Sequence, residues 1–344
     1  TFPAFLSFLA AMADMSRVKA LYTAPEHVST LERWAGFLAA SVFSLVYYIA
    51  PVYMIVAPVL LFRQPTAMST WLILAPAIIS AALPSGHSPA FLKSWLMRQM
   101  PKYFQYSEVL ESTDRELIDY SAKRKPLILA VQPHGVFSYG GVCSALIDYG
   151  ASERAEVVAR FPTAVASVVM GFPVLKHVLG VFGLLDASKK SLMKQLSGKK
   201  GNVVLYVGGI AELFLCSPTE EKVLARKGFI KVAMQAGADI VPVYLLGNTT
   251  VLQVVRHPIL SFISRKLGAT ITLFWGRWGL PLPLPRPVVY VRGAPIDIPK
   301  ISDPSDEDIQ KAFDRYMSEV KRLFDTYKHL NPDYKNKDLA VIAK

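Results

Sequence analysis

The chain has 344 residues, of which 52% are hydrophobic, with a mean hydropathy of +0.32 and a formal net charge of +12. This length supports one large domain or two small ones, and the hydropathy is high for a freely soluble protein. Two cysteines are too few for a metal cluster or a disulfide framework, and the lack of zinc-ligand spacing, of a basic helix and of an aromatic-basic motif argues against nucleic acid as the partner.

Charge is distributed unevenly along the chain. Residues 1–85 carry four Lys/Arg and three Asp/Glu, so nearly all of the positive surplus lies after residue 85. A basic part joined to an apolar part suits an anionic membrane face or a polyphosphate ligand. Residues 1–13 are apolar but lack a basic leading segment, so no signal peptide is predicted.

The first predicted element is a membrane-embedded pair of helices. Residues 34–62 are 29 positions without a charge, flanked by Arg33 and Arg63. As a helix this run would extend about 43 Å, which is longer than a bilayer core. A shorter apolar run, residues 71–83, follows a neutral connector. Together they predict a hairpin over residues 34–92 with both ends on the cytosolic side, spanning or re-entrant, and two buried core helices are the alternative.

From residue 93 onward, alternating strands and helices predict an α/β domain over residues 93–344 with a central, largely buried sheet. Residues 1–33 form a separate N-terminal segment. The predicted strands are residues 127–132, 165–169, 203–207, 240–246, 271–275 and 288–292. Helices are predicted at residues 138–149, at residues 225–236, and after Ser305, where a capping-box sequence begins. The proline-rich stretch 280–287 indicates a surface loop or a lip against the membrane.

The first candidate site residues are Gln132, Pro133, His134 and Gly135, which follow a predicted strand. Loops after the carboxyl ends of buried strands are common ligand positions in α/β proteins. A histidine at a helix N-terminus lies in a positive field, which lowers its pKa and favours the neutral, proton-accepting form. Gly135 lets the backbone approach a ligand, and Pro133 fixes the turn. A turn histidine with a satisfied hydrogen bond is the alternative for His134.

A second stretch repeats this arrangement. A predicted strand is followed by Gly208 and Gly209, and then by Glu212 in the first turn of a helix. Paired glycines leave backbone N–H groups to face an oxyanion or a phosphate. Glu212 is a candidate to orient His134 or to hold a substrate hydroxyl. Its alternative role is that of a carboxylate that stabilises the start of a helix.

A third group, Arg226, Lys227 and Gly228, opens a predicted helix. Two cations beside backbone donors can clamp a phosphate, and Lys222 and Lys231 lie nearby in the sequence. Solvated helix charges are the alternative.

Taken in order, these stretches resemble the diacylglycerol acyltransferase type 2 family, which includes monoacylglycerol and wax-alcohol acyltransferases. The resemblance covers most of the chain, and the ordered set is specific although no single piece is. It rests on the apolar hairpin and on residues 101–104, 132–135, 207–212, 226–229, 237–244, 292–296 and 321–325.

The resemblance implies a glycerolipid-acyltransferase-like α/β domain with a central mixed sheet, and a catalytic histidine that falls on His134. The first histidine of the family's His-Pro-His-Gly motif is Gln132 here, as in some branches of the family, which favours His134 as the base. Glycerophospholipid acyltransferases, which are more distantly similar, carry an aspartate where this chain has Tyr139. Glu212 is therefore the first candidate to orient His134, and Asp186 is the second.

The family also implies a substrate-binding role for Ser188 and Lys189, which match a Ser-Arg or Ser-Lys pair. The expected reaction is transfer of an acyl group from acyl-CoA to diacylglycerol, with the chain at the endoplasmic reticulum membrane, its catalytic domain in the cytosol, and lipid droplets as a further site. In that reaction His134 takes the proton of the acceptor hydroxyl, and N–H groups near Gly135 or residues 208–209 stabilise the oxyanion. Residues 172–185 are expected to admit the lipid chains.

Three other functions stay open at this stage. The acceptor is alternatively a monoacylglycerol or a wax alcohol, or the chain is an inactive membrane scaffold with this fold. A serine hydrolase would use Ser138 near His134, although no Gly-x-Ser-x-Gly elbow is present. The expected partners are acyl-CoA as co-substrate, a neutral lipid acceptor and the bilayer. No cofactor, metal or nucleic acid is expected, and a homo-oligomer is left open.

The remaining histidines and the cysteines are assigned no chemistry. Both cysteines are expected to be free buried thiols, and the histidines are expected to be structural or exposed. These residues are Cys143, Cys216, His27, His87, His177, His257 and His329.

Overall fold

The β-rich runs of the sequence assemble into one mixed sheet at the centre of the protein. The computed structural model describes residues 16–25, 27–147, 149, 152–198, 201–267 and 272–343, so the apolar start at residues 1–13 lies outside the described residues. The strands are β1 (Ala20–Thr23), β2 (Ser107–Leu110), β3 (Leu127–Gln132), β4 (Thr163–Val165), β5 (Leu184–Asp186), β6 (Val203–Tyr206), β7 (Glu221–Ala225), β8 (Asp239–Leu246), β9 (Gln253–Val254), β10 (Phe274–Trp275), β11 (Val289–Arg292) and β12 (Leu339–Ala343).

Within the described residues, the central sheet has eight strands in the order β1-β2-β11-β8-β3-β6-β4-β5. Strands β8, β3, β6, β4 and β5 are parallel, whereas β11 is antiparallel to β8 and β1 is antiparallel to β2. The mixed sheet expected from the sequence is therefore confirmed. Residues of β3 are buried on both sides of the sheet, which explains why Leu127–Gln132 is continuously apolar up to its last residue.

Helices cover both faces of this sheet. They are α1 (Thr30–Arg63), α2 (Met68–Ala82), α3 (Pro89–Leu92), α4 (Met100–Tyr103), α5 (Asp114–Lys123), α6 (Tyr139–Leu146), α7 (Ser152–Arg160), α8 (Ser167–Gly171), α9 (Leu175–Gly180), α10 (Lys189–Leu196), α11 (Ile210–Leu213), α12 (Gly228–Ala236), α13 (Pro258–Leu267) and α14 (Asp306–Tyr327). One apolar core lies between the sheet and the first half of α1 with α6 and α7, and a second lies between the sheet and α12 with α14.

The first half of α1 belongs to the core of the α/β domain. Ala39, Ala40 and Phe43 are buried in the same cluster as residues of β3 and β8, and the Tyr139 hydroxyl donates to the Ala40 carbonyl oxygen at 2.9 Å. The segment before it also joins the domain, because β1 pairs with β2 at the sheet edge. Residues expected to lie outside the domain thus complete its core and its sheet.

The second half of α1 projects an apolar surface. Ile55 is 69% exposed and Phe62 is 89% exposed. Helix α2 lies against this half, and the Tyr53 hydroxyl donates to the Ile73 carbonyl oxygen at 2.8 Å. Among the described helices, α1 is long and apolar enough to cross a membrane, whereas α2 is shorter than a span. The described part of the chain therefore contains one candidate span and a shorter apolar partner.

Two predicted strands are wrong in place or length. The strand predicted at residues 165–169 ends at Val165, and α8 begins at Ser167, since a short apolar run does not distinguish strand from buried helix by periodicity. The strand predicted at residues 271–275 is the two-residue β10, which pairs with β9 outside the central sheet, and residue 271 lies outside the described residues.

Two predicted helices are shorter than expected. The helix predicted at residues 225–236 begins at Gly228, because Ala225 ends β7, which pairs in parallel with β12. The helix predicted at residues 138–149 ends at Leu146. The capping box at Ser305 is confirmed, and α14 follows it for 22 residues.

Candidate functional site

Three loops meet at one edge of the central sheet because β3, β6 and β8 run parallel to one another. The loop after β3 carries His134, the glycine turn and short helix α11 after β6 carry Glu212, and the turn after β8 carries Asn248. The carboxyl edge of such strands is where open α/β sheets place ligands. Side-chain contacts join the three loops into one candidate active site.

The His134 imidazole is held with one nitrogen bound and the other available. Its Nδ1 lies 2.8 Å from the Gly135 carbonyl oxygen, which can only accept, so Nδ1 carries the proton and Nε2 is left as the acceptor. Burial lowers the pKa of His134, against the opposite effect of that hydrogen bond. The expected direction is found, but helix α6 begins only at Tyr139, so burial rather than the field of a helix is the cause.

Glu212 holds the backbone of the histidine loop and makes no contact with the imidazole in the hydrogen bonds of the described residues. Its Oε2 accepts from the His134 N–H at 2.7 Å, and its Oε1 accepts from the Leu224 N–H at 3.1 Å. Burial raises the pKa of Glu212 to about 8, although both N–H groups act in the other direction. The carboxyl group therefore positions His134 through the main chain.

Asn248 completes this support from the third loop. Its Nδ2 donates to the His134 carbonyl oxygen at 2.7 Å and to the Pro133 carbonyl oxygen at 3.3 Å, while its Oδ1 accepts from the Gly140 N–H at 3.1 Å. Sequence reasoning missed Asn248. Its position directly after a buried strand that runs parallel to β3 was the signal that could have found it.

The loop glycines are required by close packing. Gly135 has φ +67°, and a side chain there would strike Asn248. A side chain at Gly208 would overlap the Glu212 carboxyl group. The Gly209 N–H donates to the Tyr206 carbonyl oxygen at 3.2 Å, so this N–H is already hydrogen-bonded and does not serve the role in oxyanion binding expected of it.

An apolar cavity of about 420 Å³ opens beside His134. Most of its lining is aliphatic or aromatic and comes from β3, β4, β6 and helices α6 to α9. The stretch 172–185, expected to admit lipid chains, contributes Phe172, Leu175, Leu179, Phe182 and Leu184 to this lining. The proton-accepting nitrogen of His134 therefore lies beside an apolar cavity.

The predicted phosphate clamp is divided by the structure. Arg226 lines the cavity, and its guanidinium lies near Gly209. Lys227 instead lies over the Phe313 ring of α14, with Nζ 5.9 Å from the ring centroid, and Gly228 begins α12. Lys222 pairs with Glu220 at 2.8 Å. Of this group, only Arg226 is brought to the cavity.

Three other predicted residues lie away from the reacting groups. Ser188 caps α10, with its Oγ accepting from the Ser191 N–H, and Asp186 Oδ1 accepts from the Ser188 N–H at 2.6 Å. Asp186 therefore does not orient His134. Lys189 is exposed at the start of α10. The structure thus gives Ser188 a capping role at the start of α10, with Asp186 holding its main chain.

Gln132 is buried on the sheet face opposite the cavity. Successive residues of a strand point to opposite faces, and the adjacent Val131 lines the cavity. Neither its Oε1 nor its Nε2 has a hydrogen-bond partner among the described residues.

Ser138 Oγ donates to the Tyr206 hydroxyl at 2.7 Å rather than to His134. The described contacts thus contain no Ser138–His134 pair of the kind a serine hydrolase needs.

The remaining cysteines and histidines with described contacts behave as expected. Cys143 and Cys216 are buried free thiols, which confirms that prediction. Main-chain groups or a tyrosine hydroxyl lie within hydrogen-bond distance of the ring nitrogens of His87, His177, His257 and His329.

Comparison of the amino-acid sequence with known proteins identifies the family of the chain. A family model described as diacylglycerol acyltransferase matches residues 66–341. The chain is 33% identical over 266 residues to diacylglycerol O-acyltransferase 2 of Dictyostelium discoideum, covering 72% of this chain and 78% of that protein. It is 35% identical over 224 residues to diacylglycerol O-acyltransferase 2 of Xenopus laevis, covering 58% of this chain and 60% of that protein.

A third relative is the human diacylglycerol O-acyltransferase 2-like protein 6, which is 30% identical over 270 residues, covering 71% of this chain and 76% of that protein. No solved structure matches the chain.

Proposed function

The chain belongs to the diacylglycerol acyltransferase family, and from this premise we propose that it transfers the acyl group of an acyl-CoA to the free hydroxyl of diacylglycerol, forming triacylglycerol and CoA. The observation that carries this proposal is the Nε2 of His134, which is left as a proton acceptor beside an apolar cavity. An acyl chain and a neutral lipid are substrates that such a cavity can bind by burial of apolar surface.

The reaction follows from the state of the imidazole. Nε2 of neutral His134 accepts the proton of the diacylglycerol hydroxyl as that oxygen attacks the thioester carbonyl carbon. The new C–O ester bond forms, the C–S bond breaks, and the imidazolium returns its proton to the leaving CoA sulfur. General-base assistance of this kind contributes about 10²- to 10⁴-fold. The lowered pKa of His134 supports this role because it keeps the ring neutral near pH 7.

Substrate binding is assigned to the two kinds of surface around His134. The acyl chain enters the cavity, where Phe172, Leu175 and Phe182 contribute apolar walls. Arg226 binds a phosphate of CoA, since it lines the same cavity and its guanidinium lies near Gly209. Gly135 and Gly208 keep the histidine loop close to its supports.

The proposal includes a membrane-associated protein. The second half of α1, together with α2, inserts its apolar surface into the bilayer as a hairpin, and the lipid acceptor reaches His134 from that side. Tyr47, Ala50 and Pro51 of α1 line the cavity, which supports a path between bilayer and site. The membrane is that of the endoplasmic reticulum, with the α/β domain in the cytosol and lipid droplets as a further location.

The test is acyl transfer from labelled acyl-CoA in lipid vesicles, with diacylglycerol, monoacylglycerol, long-chain alcohol and lysophosphatidate as acceptors. Wild type is compared with His134→Ala and with His329→Ala, a histidine outside the site. We expect triacylglycerol from wild type and from His329→Ala, and a loss of at least about 100-fold in a folded His134→Ala.

Each other result has a defined meaning. Full activity of His134→Ala would remove His134 as the base. Preference for another acceptor would replace diacylglycerol in the proposal, and no transfer to any acceptor would favour the scaffold alternative.

A further inference from the structure

Tyr206 lies next to His134 in the cavity, and the reaction proposed above assigns it no role. It is the last residue of β6, and its ring lies edge-on to the imidazole with the centroids 4.9 Å apart. Both side chains line the cavity, whose surroundings are mainly apolar. A phenolic hydroxyl in such a place is a polar group within the reach of a bound substrate.

The Tyr206 hydroxyl is hydrogen-bonded to Ser138, whose side chain does not cap the helix that follows it. Ser138 occupies the N-cap position of α6, where a serine side chain ordinarily accepts a helix N–H, but it makes no such cap bond. Its Oγ instead donates to the Tyr206 hydroxyl at 2.7 Å. The Ser138 side chain therefore serves the tyrosine rather than the helix.

The pair of hydroxyl groups has one proton left to donate. Two hydroxyl groups have two protons, and one of them is used in the bond from Ser138 to Tyr206. The Tyr206 proton has no acceptor among the residues that the structure describes. Burial raises the pKa of Tyr206 to about 12, so the hydroxyl keeps this proton at neutral pH. The bond received from Ser138 strengthens Tyr206 as a donor.

The reaction needs such a donor, and one expected donor is already engaged. The thioester carbonyl oxygen gains negative charge as the acceptor hydroxyl attacks. The Gly209 N–H, expected to face that charge, is hydrogen-bonded to the Tyr206 carbonyl oxygen at 3.2 Å. The glycine turn thus fixes the main chain of Tyr206 and leaves its side chain to provide the hydrogen bond.

We propose that the Tyr206 hydroxyl donates a hydrogen bond to the thioester carbonyl oxygen of acyl-CoA as this oxygen becomes an oxyanion, with Ser138 as the residue that positions Tyr206. This assignment rests on the acyl-transfer function proposed above. No bond to Tyr206 is made or broken, and its proton remains on the phenol. Tyr206 is then a catalytic residue of the transition state.

Gly141 provides an independent reason for this placement. A side chain at Gly141 would overlap the Tyr206 hydroxyl and press on the Ser138 Oγ. The absence of a side chain in the first turn of α6 therefore gives the hydroxyl pair its space. Gly141→Ala offers a way to displace the hydroxyl without removing it.

The experiment compares Tyr206→Phe, Ser138→Ala and Gly141→Ala with wild type in the vesicle assay, using both diacylglycerol and a long-chain alcohol as acceptors. We expect Tyr206→Phe to lower kcat by about 10²- to 10³-fold with little change in KM. Ser138→Ala and Gly141→Ala lower kcat by smaller factors. Because the oxyanion forms with every acceptor, the factor for each variant is the same for both.

Tyr149→Phe is the matched control, since its hydroxyl pairs with His87 outside the cavity lining and its loss leaves kcat unchanged. Thermal unfolding of each variant verifies that it is folded. An active wild type with an unchanged Tyr206→Phe would overturn the assignment alone. A loss confined to KM, or one that differs between acceptors, would assign Tyr206 to acceptor binding and also overturn it. A wild type that transfers to neither acceptor would sink the proposed function together with this assignment.

Discussion

The two faces of the central sheet differ beside His134. On one face the strands end at an open, apolar cavity of about 420 Å³ that contains the imidazole and Tyr206. On the other face they end at a closed polar cluster, where Glu221 accepts hydrogen bonds from Tyr244, Thr249 and Tyr334 at 2.8 to 2.9 Å. Residues that can touch a substrate lie on the first face, and residues that fix the loops lie on the second.

This difference between the faces explains why Glu212 and His134, although they are in contact, have different kinds of function. Glu212 does not line the cavity, yet it binds the main chain of His134, whose side chain does. Buried carboxyl groups need donors around them, and a closed face can supply them. A neutral imidazole and an acyl chain need an apolar space instead. The sheet separates these two environments, although Glu212 in one is in direct contact with the main chain of His134 in the other.

Among the changes that test this difference between the two faces, the largest effect is expected where the faces are joined. Glu212→Ala leaves the His134 and Leu224 N–H groups without their acceptor, at a cost of about 2 to 5 kcal/mol in the free energy of unfolding. The displaced loop lowers kcat by about 100-fold. Glu212→Gln keeps one acceptor oxygen, so we expect it to lose less of both. Denaturant unfolding in detergent and the vesicle assay measure the two quantities, and equal losses in both variants would contradict this role.

The pH dependence separates the two faces through their titrating groups. The pKa of His134 is lowered by burial, so kcat/KM stays constant near neutral pH and falls about tenfold per pH unit below a midpoint lower than 6.5. A midpoint above 6.5 would contradict the neutral imidazole.

On the closed face, the pKa of Glu212 is raised from 4.5 to about 8. The folded state therefore holds this proton over a range in which the unfolded chain has lost it. Its contribution to stability is complete below pH 4.5 and lost as the pH rises through 8. Glu212→Gln does not titrate and is expected to remove this slope, which denaturant unfolding across the pH range would reveal.

A smaller effect distinguishes the neighbouring cations Arg226 and Lys227. Arg226 lines the cavity, whereas Lys227 lies over Phe313. We expect Arg226→Gln to raise KM for acyl-CoA by about tenfold through the loss of a charge-assisted hydrogen bond, and Lys227→Gln to leave it unchanged. Initial rates at varied acyl-CoA concentration measure this. Equal changes in the two variants would mean that a diffuse positive field, and not Arg226, attracts the substrate.

The smallest expected effect concerns acyl-chain length. Ala145 lines the cavity from α6 and packs against the core on that side, whereas Ala130 is buried on the opposite face of β3. Ala145→Val should reduce the rate with long-chain relative to medium-chain acyl-CoA by about fourfold for each methylene group that no longer fits. Ala130→Val is the control, because it crowds the core without changing the cavity. A shift of the chain-length ratio in the control as well would mean that the cavity does not bind the acyl chain.

Local pattern was sufficient for the elements that lie within one segment. Leu127–Gln132 was identified as a strand by its unbroken apolar run, α14 by its capping box and helical period, and α1 by its length without a charge. The strands β1, β2, β5, β7, β9 and β12 were missed, since these short runs show no clear period of their own and are defined by the strands with which they pair.

The sequence by itself determined that an α/β domain is joined to an apolar helix, and that His134, Gly208 and Glu212 follow strands whose ends could meet. Tertiary structure alone decided what each residue contacts. It gave Glu212 to the backbone of His134, turned Gln132 and Lys227 away from the cavity, and brought Asn248 to the site. The physical reason is that hydrophobic period reports burial along one segment, whereas the partners of a polar side chain depend on the register between strands far apart in the chain.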